Sequence, residues 1–331
     1  MGKIIPKGGF FMCTAVVYKN RYFGRNLDYD RSFGESVVIT QRAFPFRFPE
    51  GQVLQKHHAI IGMAHVSENY PLYYDAMNEK GLAMAGLLFG GNAVYHRPVA
   101  GKENIPSWGL IPWVLGQCER VAEAETLLLR LNLTDVPFCA ELPPSPLHWM
   151  IADKERSIVV ESMADGLHVY ENRAGVLTNN PPFPFHLENL NQYLNLTAEE
   201  PENRFSEKID LKPFSRGMGA LGLPGDLSSA SRFVRAAFVR SHSLSEEKGD
   251  VSQFFHILGA VEQQRGCVHL GEGRYEMTIY SSCCDMEKGV YYWKTYENYE
   301  IQKLELTGEN MEGNGLHRLQ INPETYISHA K

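Results

Sequence analysis

Residues 81–89 read Gly-Leu-Ala-Met-Ala-Gly-Leu-Leu-Phe, with no polar side chain at any position. Side chains alternate across a strand, so a strand apolar at every position must be covered on both faces. The run follows a turn-like Asn78-Glu79-Lys80-Gly81, and a chain that contains it needs further layers above and below. The remaining pattern supplies them. Strands are expected at 14–18 and 21–25, joined as a hairpin by Lys19-Asn20, then at 36–40 and 59–65. A pair at 147–152 and 157–162 is continued by 166–170 and 175–178, and three more strands at 275–281, 289–295 and 300–306 close the chain. Helical spacing appears at 107–132 (Trp108, Ile111, Val114 and Leu115, then Ala122, Leu127 and Leu128), at 185–194, at 229–239 with Ser228 or Ser229 as N-cap, and at 251–264. Strand-rich halves separated and flanked by helices indicate two sheets layered between helices, an α+β fold in one domain. The Pro/Gly/Ser-rich stretches 141–146 and 215–229 read as loops, because no composition shift separates what lies on either side.

A length of 331 residues fits one large domain, and 44% hydrophobic with 21% charged residues is enough to build its core. Lys and Arg number 32 against 39 Asp and Glu, a net charge of −7. That balance argues against nucleic acid or an anionic membrane as partner, since both reward a basic face. No apolar run approaches the roughly 18 residues needed to span a bilayer. The six cysteines form no C-x-x-C pair, and the adjacent Cys283 and Cys284 point to opposite faces of a strand. Free thiols in a reducing cytoplasm are the expectation. The histidines are scattered and no metal site is expected. His148, beside Trp149 in an apolar strand, reads as a structural histidine. P-loop, G-x-S-x-G, H-E-x-x-H and EF-hand signatures are absent, and the glycines of 86–91 lack dinucleotide spacing.

The first twelve residues, MGKIIPKGGFFM, make a poor export signal: Lys7 interrupts the apolar stretch, no small-x-small site follows, and Met12 is too bulky to precede a lipidated cysteine. A different origin accounts for them. Lys7-Gly8-Gly9 can be encoded by AAA-GGA-GGN, a purine run that matches a bacterial ribosome-binding site a short distance before the Met12 codon. Residues 1–12 are then a leader or misassigned start, absent from the active enzyme, and 13–331 form a single domain. Loss of Met12 leaves Cys13 first in the chain, with a thiol and a free α-amine on one residue.

Met12-Cys13-Thr14, followed by Tyr22-Phe23-Gly24-Arg25-Asn26-Leu27-Asp28-Tyr29, resembles the choloylglycine hydrolase family, the conjugated bile salt hydrolases and penicillin V acylases among the N-terminal-nucleophile hydrolases. The likeness continues through blocks at 75–82, 147–151, 157–161, 175–179, 223–226, 230–235 and 287–292, in that order. It implies a four-layer αββα sandwich, in agreement with the element order above. Cys13 matches the family's nucleophile. Its thiol, with an ordinary pKa of about 8.5, needs a base near neutral pH, and its own α-amine, at about 7.7–8.0, is a competent one. Arg25 and Asp28 match the family's Arg and Asp: Arg25 is expected to favour the thiolate, and Asp28 to accept a hydrogen bond from the α-amine. Residues three apart do not share a face of a regular strand, so the strand is expected to end or bulge at Asn26–Leu27. Asn179 matches the asparagine whose side-chain N–H faces the developing oxyanion, and Arg232 an arginine that supports the site's charge network.

One position departs from the pattern. Bile salt hydrolases usually carry Asn, and penicillin acylases Tyr, where this chain has Leu88. The role implied there is a backbone N–H given to the oxyanion, which Leu supplies equally well, while any side-chain hydrogen bond to substrate is lost. Arg216, in the loop before Leu223-Pro224-Gly225-Asp226, is expected to pair with glycine's carboxylate or taurine's sulfonate, with a preference for taurine. Met63, Tyr70 and Phe138 are expected in an apolar acyl pocket. The implied reaction is hydrolysis of a conjugated bile salt through a thioester, with no cofactor, in a cytoplasmic homotetramer. Penicillin V or an N-acyl homoserine lactone is the alternative substrate. A non-catalytic binder of bile acids is the alternative of another class, should the leader stay attached and block the amine.

Overall fold

In a computed structural model the described residues are 12–327 apart from 247, 323 and 326, so the leader expectations for 1–11 lie outside them. Two antiparallel sheets form the centre. In the first, Val176–Leu177, Cys13–Tyr18, Tyr22–Tyr29, Arg274–Asp285, Val290–Thr295 and Gln302–Glu305 lie side by side in that order, and Val268–Gly271 also pairs with Arg274–Asp285. In the second the order is Gly166–Glu171, Ser157–Met163, Leu147–Ala152, Ala83–Leu88, Tyr70–Asn78, Ile60–Ser67, Ser36–Thr40 and Leu316–Gln320. The wholly apolar strand is thus interior to its sheet. Its alternate residues divide as the two-sided reading requires: Ala83, Ala85 and Leu87 join the core between the sheets, while Leu82 and Met84 join the core under the outer helices. Helices Leu110–Gln117 and Val121–Leu128 cover the second sheet, and Ser229–His242 and Asp250–Gly259 cover the first. The layers are αββα.

The hairpin that carries the nucleophile follows from local chemistry. Cys13–Tyr18 is Cys-Thr-Ala-Val-Val-Tyr, buried throughout, and the turn after it places Lys19 and Asn20 at φ 53° and 49°, the left-handed region that hairpin turns need. Gly24 on the return strand is dictated by a close approach: a Cβ there would lie 1.9 Å from the Ser282 carbonyl oxygen of the neighbouring strand.

Three expectations are corrected. The 107–132 helix is two helices and a strand. Cys118 is extended, at φ −109° and ψ 142°, and Leu131–Thr134 pairs in parallel with Glu103–Pro106. Residues distant in sequence set the break: Asn78 Nδ2 donates to the Leu115 and Cys118 carbonyls (2.7 and 2.8 Å), and Asp153 Oδ2 accepts from the Val121 N–H (2.8 Å). Apolar spacing carries no trace of such caps. Second, Val176–Leu177 leaves the 147–171 strands and joins the first sheet beside Cys13–Tyr18. Third, Tyr22–Tyr29 runs unbroken through Asn26 and Leu27, and the irregularity lies across the ladder, between Thr278 and Tyr280.

Candidate active site

Strand alternation decides how the hairpin presents its polar groups. Cys13 pairs with Leu27 and Ala15 with Arg25, which puts Cys13 and Arg25 on one face, whereas Thr14, Asn26 and Asp28 share the other. The Cys13 face looks into the space between the sheets. There Arg25, wholly buried, gives Nη1 to the carbonyls of Gly86 and Tyr74 (3.3 Å to Tyr74) and Nε to that of Asn26 (3.4 Å), and its Nη2 has no hydrogen bond among the described residues. The opposite face meets the helix layer. Asp28 accepts from Thr278 Oγ1 (2.6 Å) and Gln263 Nε2 (3.3 Å), and lies 3.9 Å from Arg232.

Arg232, three residues into the helix Ser229–His242, ties the first strand to the loop after Val176–Leu177. Its Nη1 donates to the Cys13 carbonyl (2.7 Å) and to the Thr14 hydroxyl, its Nη2 to Asn179 Oδ1 (2.8 Å), and its Nε to the Leu227 carbonyl (3.0 Å). Asn179 Oδ1 also accepts from the Cys13 backbone nitrogen (2.7 Å), and Asn179 Nδ2 donates to the Leu88 carbonyl (2.8 Å). The backbone N–H groups of Leu88 and Asp28 both point at the Cys13 sulfur. Arg25, Asp28, Leu88, Asn179 and Arg232 therefore gather around Cys13, some at its thiol and some at its backbone. With residue 12 in peptide linkage the Cys13 nitrogen is an amide and donates to Asn179, while the Asp28 N–H donates to the Met12 carbonyl (3.1 Å).

Burial dominates the electrostatics. It pushes the Cys13 thiol above its ordinary value against the opposing pull of Arg25, so Arg25 alone does not yield a standing thiolate. Asp28 is pushed up to about 6 by burial, with Arg232, Thr278 and Arg25 acting the other way. A neutral thiol beside Arg25 requires a base that acts during attack, which is the chemistry a leading amine offers.

The four residues expected to hold substrate lie in three separate places. Met63 is fully buried between the sheets. Tyr70 and Phe138 pack with Trp108 (5.5 Å between the Tyr70 and Phe138 ring centroids). Arg216 stands on an exposed loop with its side chain 92% accessible and paired with Glu200. A cavity of about 860 Å³ opens at Met12, bordered by Asp226, Leu227, Arg235, Glu262 and His269 among others, and none of the four lines it.

The sequence model of the linear amide C–N hydrolases, choloylglycine hydrolase family, matches residues 13–318. The chain belongs to the choloylglycine hydrolase family. A relative named bile salt hydrolase/transferase from Lactiplantibacillus plantarum is 56% identical over 305 residues, 91% of this chain and 94% of that protein. A crystal structure of a conjugated bile acid hydrolase variant from Clostridium perfringens superposes with a TM-score of 0.89 at 37% identity, covering 97% of this chain and all of the other. Penicillin V acylase from Agrobacterium tumefaciens shares the fold, with a TM-score of 0.73 at 17% identity over 93% and 91% of the two chains. The αββα layers are thus those of an N-terminal-nucleophile amide hydrolase.

Within this choloylglycine hydrolase site, sequence reasoning passed over Glu276. Its one signal is an acid near the start of the strand Arg274–Asp285, ahead of the apolar, hydroxyl- and thiol-bearing run 277–284. Oε1 accepts from the Met12 N–H, and Oε2 is buried with no hydrogen-bond partner among the described residues. Burial first, and Asp28 second, push its carboxyl up to about 8. A carboxyl raised on folding holds its proton more tightly in the folded chain, so its stabilising contribution is full below pH 4.5 and lost as pH rises through about 8. Glu276→Gln, which mimics the protonated form, should therefore raise stability at pH 7 by ~3 kcal/mol and leave it nearly unchanged at pH 4. Thermal or urea unfolding at the two pH values checks this, and an equal gain at both refutes it.

Proposed function

We propose that this chain hydrolyses the amide that joins a bile acid to glycine or taurine, with Cys13 as the first residue of the active form. The Cys13 α-amine takes the thiol proton as the sulfur attacks the amide carbon. The oxyanion of the tetrahedral intermediate is held by the Leu88 backbone N–H and the remaining N–H of Asn179 Nδ2. Collapse breaks the C–N bond, and glycine or taurine leaves with the proton returned by the α-ammonium. Water then attacks the thioester, giving its proton to the same amine, and the free bile acid departs as the thiol is restored. Sulfur, amine and water account for every bond made and broken.

The observation that carries this reading is the double use of Asn179: one oxygen receives the Cys13 nitrogen while the amide nitrogen of the same group sits at Leu88. Once residue 12 is gone that nitrogen is the base, and in this reading Asn179 serves both it and the oxyanion. The names borne by the Lactiplantibacillus and Clostridium relatives favour bile salts over other acyl groups. Leu88 keeps penicillin V as the second arm of the assay. The same reading includes a cytoplasmic homotetramer, as the family resemblance implies; the exposed apolar side chains of Leu194, Phe205, Phe214 and Leu221 favour self-association of some kind.

Incubation with glycocholate, taurocholate and penicillin V, followed by quantifying released glycine, taurine and 6-aminopenicillanate, tests the substrate. Mass analysis of the active protein tests the leading residue. Wild type should release glycine or taurine and begin at Cys13, and Cys13→Ala should release neither while still binding the conjugate. Full activity with residue 12 still in peptide linkage overturns the mechanism. Turnover confined to penicillin V overturns the substrate.

A further inference from the structure

The two proposed oxyanion donors come from different sheets. Leu88 ends a strand of the second sheet, and Asn179 follows Val176–Leu177 in the first. Among the described residues no ladder hydrogen bonds link the two sheets, so their separation at the sulfur is set by side chains, the Asn179 Nδ2 bond to the Leu88 carbonyl among them. His148 is placed to set it. It lies on Leu147–Ala152, directly paired with Leu87 in the neighbouring strand, and its imidazole is completely buried. The ring stacks on Phe89, next to Leu88, with centroids 4.4 Å apart and planes 6° from parallel. Its Nε2 meets the carbonyl of Thr178, the residue before Asn179, at 2.9 Å. Its Nδ1 meets Glu161 Oε1 at 3.0 Å, and Glu161 also accepts from the Phe183 N–H at 3.0 Å.

We propose that His148 and Glu161 are a positioning pair that holds the Asn179 amide and the Leu88 N–H at the spacing an oxyanion needs. This inference rests on the reaction proposed above. One imidazole touches both halves of the hole: it stacks against the residue after one donor and bonds to the residue before the other. Glu161 fixes which way the ring faces, as a carboxylate behind a histidine does. Through Phe183 it also holds the far side of the Asn179 loop. His186, from the helix Phe183–Asn189, closes that loop by reaching the Asn179 carbonyl with Nε2 at 2.9 Å. The pair does not touch the sulfur, so it acts only through the donors.

That indirect action gives a test. Alkylation of Cys13 by iodoacetamide displaces iodide at a saturated carbon and forms no oxyanion, so it reports the nucleophile without the hole. His148→Phe should lower kcat for glycocholate about 10- to 100-fold, with KM and the alkylation rate changed less than about threefold. His148→Gln, which retains a donor toward Thr178, should recover part of the loss and guards against a phenylalanine variant that fails to fold. In an Asn179→Ala background, His148→Phe should cost clearly less than in the wild-type background, because one of the two donors it positions is already gone. Parallel loss of turnover and alkylation in both variants overturns the proposal, as does a full-sized penalty in the Asn179→Ala background or an unchanged kcat. Wild-type turnover is the separate control: its absence counts against the reaction, whereas loss confined to the variants does not.

Discussion

Asn179→Ala should reduce kcat by about 10²–10³, with KM for the conjugated bile salt moving less than about threefold. The side chain makes three hydrogen bonds, two into Oδ1 from the Cys13 nitrogen and Arg232 and one from Nδ2 to the Leu88 carbonyl. Its second Nδ2 proton is what faces the reacting carbonyl oxygen in the proposed mechanism. That bond strengthens only when the oxygen becomes negative, so its loss appears in kcat and not in ground-state binding. Alanine also releases the Cys13 nitrogen, so it cannot tell orientation of the base from stabilisation of the oxyanion. Asn179→Asp separates them: it keeps the acceptors for Cys13 and Arg232 but removes both donor protons. It should match the alanine loss in amide turnover while retaining alkylation of Cys13 at near the wild-type rate. Steady-state release of glycine and the iodoacetamide rate, measured on the same preparations, decide it. A kcat for Asn179→Asp within tenfold of wild type removes Asn179 from the oxyanion hole.

What was legible in the sequence divides along a physical line. The 81–89 run dictated a two-sided strand because alternation is a local property, and the structure buries its two faces in two separate cores. Boundaries at Ser36–Thr40 and Leu147–Ala152 also follow from local pattern. The break at Cys118 was not legible, because Asn78 and Asp153 make it from far away while the apolar spacing continues across it. The resemblance brought together Cys13, Arg25, Asp28, Asn179 and Arg232, but not which atoms touch. Partners of buried polar groups depend on which strand crosses beside which, and the bonds from Thr278 and Gln263 to Asp28 left no trace in the sequence. His148 was read as a structural histidine on composition alone. Its neighbours Phe89 and Thr178 flank Leu88 and Asn179, and that adjacency exists only once the two sheets are stacked.

Arg232→Met should destabilise the fold by about 3–5 kcal/mol at pH 7.5 and lower kcat by at least about 10³. Methionine fills much of the volume but supplies no donors, so the Cys13 carbonyl, the Thr14 hydroxyl, Asn179 Oδ1 and the Leu227 carbonyl all lose a partner in a fully buried place. Asp28 loses its nearest cation, and the sign of the pH dependence follows. Arg232 is the largest influence holding the Asp28 carboxyl down against burial, so without it that carboxyl rises beyond about 6. A carboxyl raised on folding destabilises progressively as pH climbs from its ordinary 3.8 through the folded value. The penalty in urea unfolding should accordingly be larger at pH 7.5 than at pH 4.5, where Asp28 is protonated in the folded variant and only the hydrogen bonds remain lost. Arg232→Lys restores a charge near Asp28 but not the fork, since one ammonium cannot reach the Cys13 carbonyl, Asn179 Oδ1 and Leu227 together. Stability at pH 7.5 should therefore return in part while kcat stays low. A lysine variant that regains turnover together with stability would show that charge alone, and not the shared grip on Cys13 and Asn179, is what this arginine contributes.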